Sequence, residues 1–307
     1  MRNSNPLHRS RPLFIALAFF ASFGIATALG AQESRQSAAP AAKVKETAEA
    51  TKFSRFETHG ERSGRLQTAV VTYRDGLGRT VDLVGAVHIA DSGYYRRLNR
   101  LFEDYDALLY EMVKPKDAVI RKGESGDSIV SSLQRTLQEI LKLSYQLDVI
   151  DYQAPNFVHA DLTTEELDAV LERRGESMWT MLLDLFLTSL KNPPKTAKVE
   201  ASAGDLLQAF FSSDRADRLK YFFAASLEDM ESVAASFGQG SVIIHERNKV
   251  CFETLERELS SGKKAIGIFY GAAHLPDLES RLQKSGFKRT RTRWITAWKI
   301  GVEPKRA

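Results

Sequence analysis

The first regular pattern of apolar and polar positions along the chain predicts a β-hairpin. Residues 66–73 and 80–84 are rich in β-branched and aromatic side chains, which favour extended strands. Residues 75–78 between them read Asp-Gly-Leu-Gly, a sequence typical of a tight turn. Near the other end of the chain, residues 287–300 are predicted to form a final long strand or hairpin. The two ends are therefore expected to pair in one sheet.

A helix and a short strand follow the hairpin. The helix is predicted over residues 92–104, because four apolar residues share one face: Tyr95, Leu98, Leu101 and Phe102. Residues 107–110 (Ala-Leu-Leu-Tyr) then predict a buried strand that ends at Glu111. We expect this strand to lie directly beside the strand that ends at Gly85, since one helix joins the two.

The middle of the chain is predicted to be mainly helical, before strand and helix alternate again. Residues 156–161 form a short extended stretch, and residues 163–166 (Thr-Thr-Glu-Glu) carry the capping residues typical of a helix start. Residues 264–270 predict another buried strand. Further helices are predicted over residues 127–147, 178–190, 203–211, 215–237, 241–260 and 278–285.

These elements predict one α/β (α+β) domain over residues 61–302. It has a mixed central β-sheet with flanking helices, and a helical insertion or cap over residues 148–240. Two independent domains are the alternative, but the terminal pieces alone contain too little core to fold. Residues 32–60, rich in Ala, Gln, Ser, Lys and Glu, are predicted to be a disordered linker.

The first 31 residues have the pattern of an export signal. Arg2, Arg9 and Arg11 precede an almost wholly apolar run over residues 13–29, and small residues follow it. We expect a periplasmic or extracellular protein, which contacts a membrane only if this segment stays uncleaved as an anchor. No later segment is long and apolar enough to cross a bilayer.

The charge of the chain argues against a nucleic-acid partner, and its cysteine content excludes an internal disulfide bond. The formal net charge is +4, but residues 1–31 hold three arginines and no acid, so the rest of the chain carries about +1 (4 − 3). One basic run, residues 288–293, has the spacing of a solvated strand face, and we expect no nucleic-acid partner. Cys251 is the only cysteine, so no internal disulfide forms. Its spacing from Leu255 predicts a packing residue on a helix.

Two segments of the chain repeat the same short motif. Gly85 and His88 recur as Gly271 and His274, and the offset is the same in both cases (271 − 85 and 274 − 88 both give 186). Each copy is an apolar strand, then Gly-Ala-x-His, then an acidic helix start. Such strand-to-helix junctions lie at the carboxyl edge of a sheet, where α/β proteins bind ligands. The repeat therefore predicts two strand-turn-helix units whose imidazoles face one cleft.

The candidate site consists of His88, His274 and Glu111. Two histidines and one carboxylate are the ligand types of catalytic zinc sites, and they also suit manganese or cobalt. A bound metal ion would activate a water molecule. The same three residues could also act without a metal, with a histidine as general base and the glutamate orienting it. The residues alone leave both alternatives open.

Five further residues are secondary candidates. Arg247 has the donor fork that holds a carboxylate or an oxyanion, and Asn248 can donate and accept beside it. Glu246 precedes them at the same helix start. His159 and Asp161 are two positions apart in an extended stretch, so they are expected to point to one face.

A set of motifs in this chain resembles the TraB/GumN/PrgY family and the related TIKI proteases. The motifs are Gly85-Ala86-Val87-His88, Glu111, Glu246-Arg247-Asn248 and Gly271-Ala272-Ala273-His274-Leu275. The resemblance covers about residues 66–300. This family belongs to a broader group that includes erythromycin esterase-like and haem-binding ChaN-like proteins. Unlike plasmid TraB-type members, this chain has no carboxyl-terminal membrane segments.

The resemblance implies an exported metal-dependent hydrolase, a peptidase acting on peptide or protein substrates outside the cytoplasm. It implies a core site of His88, Glu111 and His274, supported by Arg247 and Asn248. A non-catalytic protein of the same fold that binds haem, a metal ion or a peptide is the alternative. Another alternative is an inactive protein of the same fold, in which both histidines are hydrogen-bonded polar residues without a function.

Overall fold

The computed structural model describes residues 52–60, 62–119, 139–173, 208–209, 211–225 and 242–301. Several predictions lie outside these residues: the export signal, most of the linker, the first part of the helix at 127–147, and the helix at 178–190. Within the described ranges, no helix is both long and apolar enough to span a membrane.

The predicted hairpin is confirmed, and a further strand precedes it. Strands β1 (Ser54–Thr58), β2 (Gly64–Arg74) and β3 (Thr80–Ala86) pair antiparallel, with β2 in the middle. The prediction that residues 32–60 are all linker is wrong at its end. Phe53 and Phe56 are buried there, so the apolar surface they remove from water holds β1 on the sheet.

Among the described residues, eleven further named helices and strands follow in chain order. They are β4 (Ile89–Ala90), α1 (Ser92–Phe102), β5 (Ala107–Tyr110), β6 (Ser144–Tyr145), α2 (Gln146–Val149), β7 (Phe157–His159), α3 (Thr164–Arg173), α4 (Val242–Ser260), β8 (Ala265–Gly271), α5 (Leu275–Lys284) and β9 (Lys288–Ile300). A single 3₁₀ turn, Ala272–His274, joins β8 to α5. The predicted strands at 107–110 and 264–270 and the long final strand are confirmed, because each is a continuous β-rich run.

The main sheet is mixed, which confirms the predicted α/β fold class. Its strand order is β1-β2-β3-β8-β5-β7, and β9 pairs antiparallel with β2. Strands β3, β8, β5 and β7 run parallel to one another. The prediction that β5 lies directly beside β3 is wrong, because β8 occupies the place between them. The chain thus returns to the centre of the sheet late in the sequence.

Helices cover both faces of the sheet. Neighbouring strand residues such as Leu83 and Val84 belong to different core clusters, since successive side chains point to opposite faces. On one face, Phe102 of α1 packs on Phe269 with ring centroids 5.0 Å apart. On the other face, α4 and α5 contribute six buried residues: Cys251, Leu255, Leu259, Leu275, Leu278 and Leu282. The prediction that Cys251 is a packing residue is confirmed, and burial raises the pKa of its thiol.

The insertion predicted over residues 148–240 is described in part, and it is not purely helical. Its strand β7 pairs with β5 and so belongs to the main sheet. Helical residues 215–225 pack against the α1 face of the sheet, where the ring of Tyr221 lies 5.2 Å from that of Phe56. The described part of the insertion therefore completes the domain rather than standing apart as a cap.

Candidate functional site

The two repeated motifs end side by side at one edge of the sheet. Strands β3 and β8 are parallel neighbours in which Gly85 lies opposite Tyr270 and Ala86 opposite Gly271. Because parallel strands end at the same edge, His88 and His274 follow them on the same side of the molecule. Glu111 follows β5, which pairs with the other edge of β8. All three predicted core residues thus leave the carboxyl ends of three adjacent strands.

Glu111 is held at both carboxylate oxygens. Its Oε2 accepts a hydrogen bond of 2.6 Å from the backbone N–H of Gly271, and its Oε1 accepts one of 2.7 Å from Nη2 of Arg247. Its Oε1 also lies 3.5 Å from Nε2 of His274. Burial acts to raise the pKa of Glu111, but His274, Arg247 and the Gly271 amide outweigh burial and lower it to about 2. Glu111 is therefore a fixed negative charge at neutral pH.

Arg247 lies at the centre of a polar cluster that also contains Glu111, Asp161 and His274. It reaches Asp161 through two hydrogen bonds, from Nε to Oδ1 (2.9 Å) and from Nη2 to Oδ2 (2.6 Å). Its Nη1 donates to Nε2 of His274 at 3.3 Å. With the bond to Glu111, four of the five N–H groups of the guanidinium are engaged within the described residues. The fork of Arg247, predicted to suit a carboxylate or an oxyanion, holds the carboxylate of Asp161.

Asn248 fixes the orientation and the tautomer of His274. Its Nδ2 donates to the backbone carbonyl of His274 (3.1 Å) and to Oδ2 of Asp277 (2.9 Å). Both partners are acceptors, so the remaining atom, Oδ1, is the amide oxygen. It accepts a hydrogen bond of 2.7 Å from Nδ1 of His274. His274 consequently carries its proton on Nδ1, and Nε2 presents a lone pair to Arg247. Burial lowers the pKa of His274, which keeps the ring neutral at pH 7.

His88 is the more accessible of the two histidines. It is partly exposed, whereas His274 is buried. Burial lowers the pKa of His88, with Glu111 opposing that shift and Arg247 adding to it. Glu111 therefore acts electrostatically on both imidazoles, and His88 in turn lowers the pKa of Glu111. His88 thus interacts with Glu111 and Arg247 through their charges, and no hydrogen bond or ion pair joins it to them among the described residues.

The cluster as arranged does not fit the predicted metal ion. Its donor types suit zinc, manganese or cobalt. However, no three histidine, cysteine, aspartate or glutamate side chains of the described residues are grouped to hold a metal. The guanidinium of Arg247 instead faces Glu111 Oε1 and His274 Nε2, the atoms a metal would need. A divalent cation at that place would meet a fixed positive charge.

The secondary candidates separate into two groups. Asp161 joins the cluster as the buried partner of Arg247, and its Oδ1 also accepts from the backbone N–H of Leu162. His159 does not join, because its Nε2 is bonded to the carbonyl of Met112 at 2.7 Å. His159 and Asp161 therefore have separate hydrogen-bond partners. No hydrogen bond or ion pair links Glu246 to the cluster within the described ranges.

Two contacts of the candidate site were not predicted from the sequence. The backbone N–H of Gly271 binds Glu111, and a Cβ at Gly271 would lie 3.2 Å from Glu111 Oε2, so the glycine admits the carboxylate. The Gly-Ala-x-His repeat was the available signal for this contact. Gln146, which donates its backbone N–H to the carbonyl of His88 at 2.8 Å, follows no motif that points to it.

No protein-family model, curated protein or solved structure matches this chain. The resemblance to the TraB/GumN/PrgY family stays a prediction from short motifs.

The arrangement supports proton transfer more directly than nucleophilic or metal chemistry. The neutral imidazole of His88 can accept a proton, and the ionised carboxylate of Glu111 acts to stabilise the imidazolium that results. The carboxylates of Glu111 and Asp161 both pair with the guanidinium of Arg247. Glu111 acts to raise the pKa of His88 and so partly offsets the burial that lowers it.

Proposed function

We propose that this protein is an exported hydrolase in which His88 is the general base. The observation that carries the proposal is the placement of two neutral histidines beside one ionised glutamate at the ends of three parallel strands. His88 is chosen over His274 because it is partly exposed and so accessible to water and substrate. Peptide or protein substrates are proposed from the motif resemblance, since the cluster itself does not specify a leaving group.

Each residue of the candidate site has its own role in the proposed hydrolysis. His88 removes a proton from a water molecule as that water attacks the substrate carbonyl, and the imidazolium then returns the proton to the leaving group when the scissile bond breaks. Glu111 stabilises the resulting imidazolium, since its negative charge acts to raise the pKa of His88. Arg247 holds Glu111 ionised and in place, and Asp161 fixes Arg247. His274, oriented by Asn248, accepts from Arg247 and so completes the frame around the guanidinium.

The metal-dependent version of the reaction is not part of this proposal. Arg247 supplies the positive charge that a metal would bring, at the place where the metal ligands would converge. Binding of haem, a metal ion or a peptide without turnover is the alternative for the same residues, and it makes a different prediction in the experiment below.

The test is a digest of a peptide library by the purified full chain, read by mass spectrometry. Wild type is compared with His88→Ala, Glu111→Gln and the control His245→Ala, since His245 is exposed on α4 outside the cluster. We expect the first two variants to lose at least about 100-fold in cleavage rate while the control keeps the wild-type rate. Cleavage that survives in His88→Ala excludes His88 as the base, and the absence of any product favours the binding alternative.

A further inference from the structure

We propose that Gln146 is a positioning residue for His88, whose side-chain amide oxygen accepts the ring N–H and selects the tautomer that acts as base. The inference rests on the proposed function for its catalytic meaning. The structural claim stands apart from any reaction, because it concerns which ring nitrogen of His88 carries the proton.

A small two-stranded sheet fixes Gln146 beside His88. Strand β4 begins directly after His88, and strand β6 ends directly before Gln146. The two strands pair antiparallel, with Ile89 opposite Tyr145 and Ala90 opposite Ser144. The ladder continues with the hydrogen bond of 2.8 Å from the Gln146 N–H to the His88 carbonyl. This register leaves Gln146 no freedom to move away from His88 while the small sheet is intact.

The two copies of the repeated motif are held in the same manner by amide residues. In the second copy, one residue, Asn248, donates to the carbonyl of His274 and accepts from its ring. In the first copy, Gln146 donates to the carbonyl of His88 and brings its side-chain amide to the same histidine. The donor to the carbonyl is the backbone N–H in one case and the side chain in the other, so no sequence motif links the two.

The orientation of the Gln146 amide leaves its oxygen for His88. Gln146 is buried, and its Nε2 donates to the hydroxyl of Tyr152. Its Oε1 is also buried, and no described group meets it with good hydrogen-bond geometry. A buried acceptor without a donor destabilises the folded state, because it has lost its hydrogen bonds to water. The His88 ring is the group that can remove this cost, and the Gln146 side chain does act on it, opposing the larger effect of burial on the pKa of His88.

The consequence for the proposed reaction is a defined tautomer. When the nitrogen facing Gln146 carries the proton, the other ring nitrogen of His88 presents its lone pair. A neutral histidine in this state is ready to accept a proton from water. Gln146 would then do for His88 what Asn248 does for His274, so both imidazoles of the cluster are fixed as single tautomers.

The test is long-range ¹H–¹⁵N correlation spectroscopy of the histidine rings in the full chain, at a pH where both rings are neutral. We expect wild-type His88 to show one protonated and one unprotonated nitrogen. In Gln146→Met, which keeps the side-chain length but removes the acceptor, the two nitrogen shifts should move towards each other as the tautomers mix. In Gln146→Glu, which keeps an acceptor, the wild-type tautomer should be retained.

Two controls keep the result interpretable. Gln153→Met changes an exposed glutamine a few residues away and should leave the His88 signals unchanged. The His274 signals report that the cluster remains folded in each variant. Unchanged His88 tautomers in Gln146→Met would overturn the positioning role. A tautomer that depends on Gln146 in a protein that cleaves nothing would instead leave the positioning role standing and overturn the hydrolase proposal.

Discussion

Arg247 and Asp161 form a two-point ion pair inside the protein. Their Nε–Oδ1 and Nη2–Oδ2 distances are 2.9 and 2.6 Å, and the side chain of Asp161 is fully buried. Residues 86 positions apart in the chain are thus joined in the geometry that gives guanidinium–carboxylate pairs most strength. Glu111 and His274 are then arranged around the guanidinium, so this pair organises the candidate site.

Replacing Asp161 with Asn should destabilise the protein strongly. The change leaves the buried Arg247 with one carboxylate partner instead of two, and breaking a buried ion pair costs about 3–5 kcal/mol. The measurement is the free energy of unfolding from urea titrations at pH 7. Asp168→Asn, on the exposed face of α3, is the matched control and should change stability by less than about 0.5 kcal/mol. Equal losses in both variants would show that the pair does not organise the site.

Glu111 should make the stability of the protein depend on acid pH. Its pKa falls from 4.5 to about 2 on folding, so the ionised form stabilises the folded state at every pH above about 4.5. That contribution, up to about 3 kcal/mol, should be lost as the pH falls from 4.5 towards 2. The measurement compares wild type with Glu111→Gln across pH 2–7. A stability difference that stays constant over this range would contradict the lowered pKa.

Replacing Asn248 with Leu should remove the constraint on His274. The ring N–H and the backbone carbonyl of His274 both lose a partner, at about 1–3 kcal/mol for each buried group. Chemical denaturation gives the stability change, and ¹⁵N shifts of the His274 ring should show mixed tautomers. Glu253→Leu, on the exposed side of the same helix, is the control. A single His274 tautomer in the Asn248 variant would mean that other groups select it.

Removal of metal ions should leave the protein unchanged. Because Arg247 already places a positive charge between Glu111 and His274, dialysis against a chelator should not shift the unfolding midpoint or any activity. Elemental analysis of protein purified without chelators should show less than about 0.1 equivalent of zinc, manganese or cobalt, a level at which no site is loaded. One equivalent in wild type that is lost in His88→Ala would restore the metal-dependent alternative.

Gly267 should tolerate no side chain. A Cβ there would lie 2.5 Å from ring carbons of Tyr105, whose hydroxyl is bonded to Asp82 at 2.8 Å. Gly267→Ala therefore forces a buried ring to move, at a cost of about 1–3 kcal/mol. Gly76→Ala is the matched control, since nothing lies within 4 Å of a Cβ at that turn position. Thermal unfolding of the two variants measures the difference, and equal midpoints would contradict the close packing.

Features encoded by local pattern were predictable from the sequence. The hairpin, the strand that ends at Glu111 and the long final strand each follow from a continuous β-rich run. The repeat of Gly85 and His88 in Gly271 and His274 predicted that two histidines lie at one sheet edge, because the motif itself specifies a strand end. The strand order was not predictable, since no local property of residues 265–271 places them between β3 and β5.

Contacts between distant polar residues were the other part that the sequence did not reveal. The sequence predicts that Arg247 holds a carboxylate or an oxyanion, but it does not show which one, and the structure pairs Arg247 with Asp161 and Glu111. Gln146 carries no motif, because its backbone register beside His88 depends on the pairing of β4 with β6. The spacing of His159 and Asp161 makes both of them candidates, but it does not indicate that the two side chains have separate hydrogen-bond partners.

Because β8 lies in the middle of the sheet but near the end of the chain, the sheet cannot be completed until late in synthesis. While residues 265–271 are still unmade, β3 and β5 are two open strand edges with apolar faces, the kind of surface on which chains aggregate. A nascent or shortened chain is therefore prone to aggregate. It contains His88 and Glu111 but lacks the strand that brings them together. The closed sheet and the charged cluster around Arg247 both form only when β8 is present.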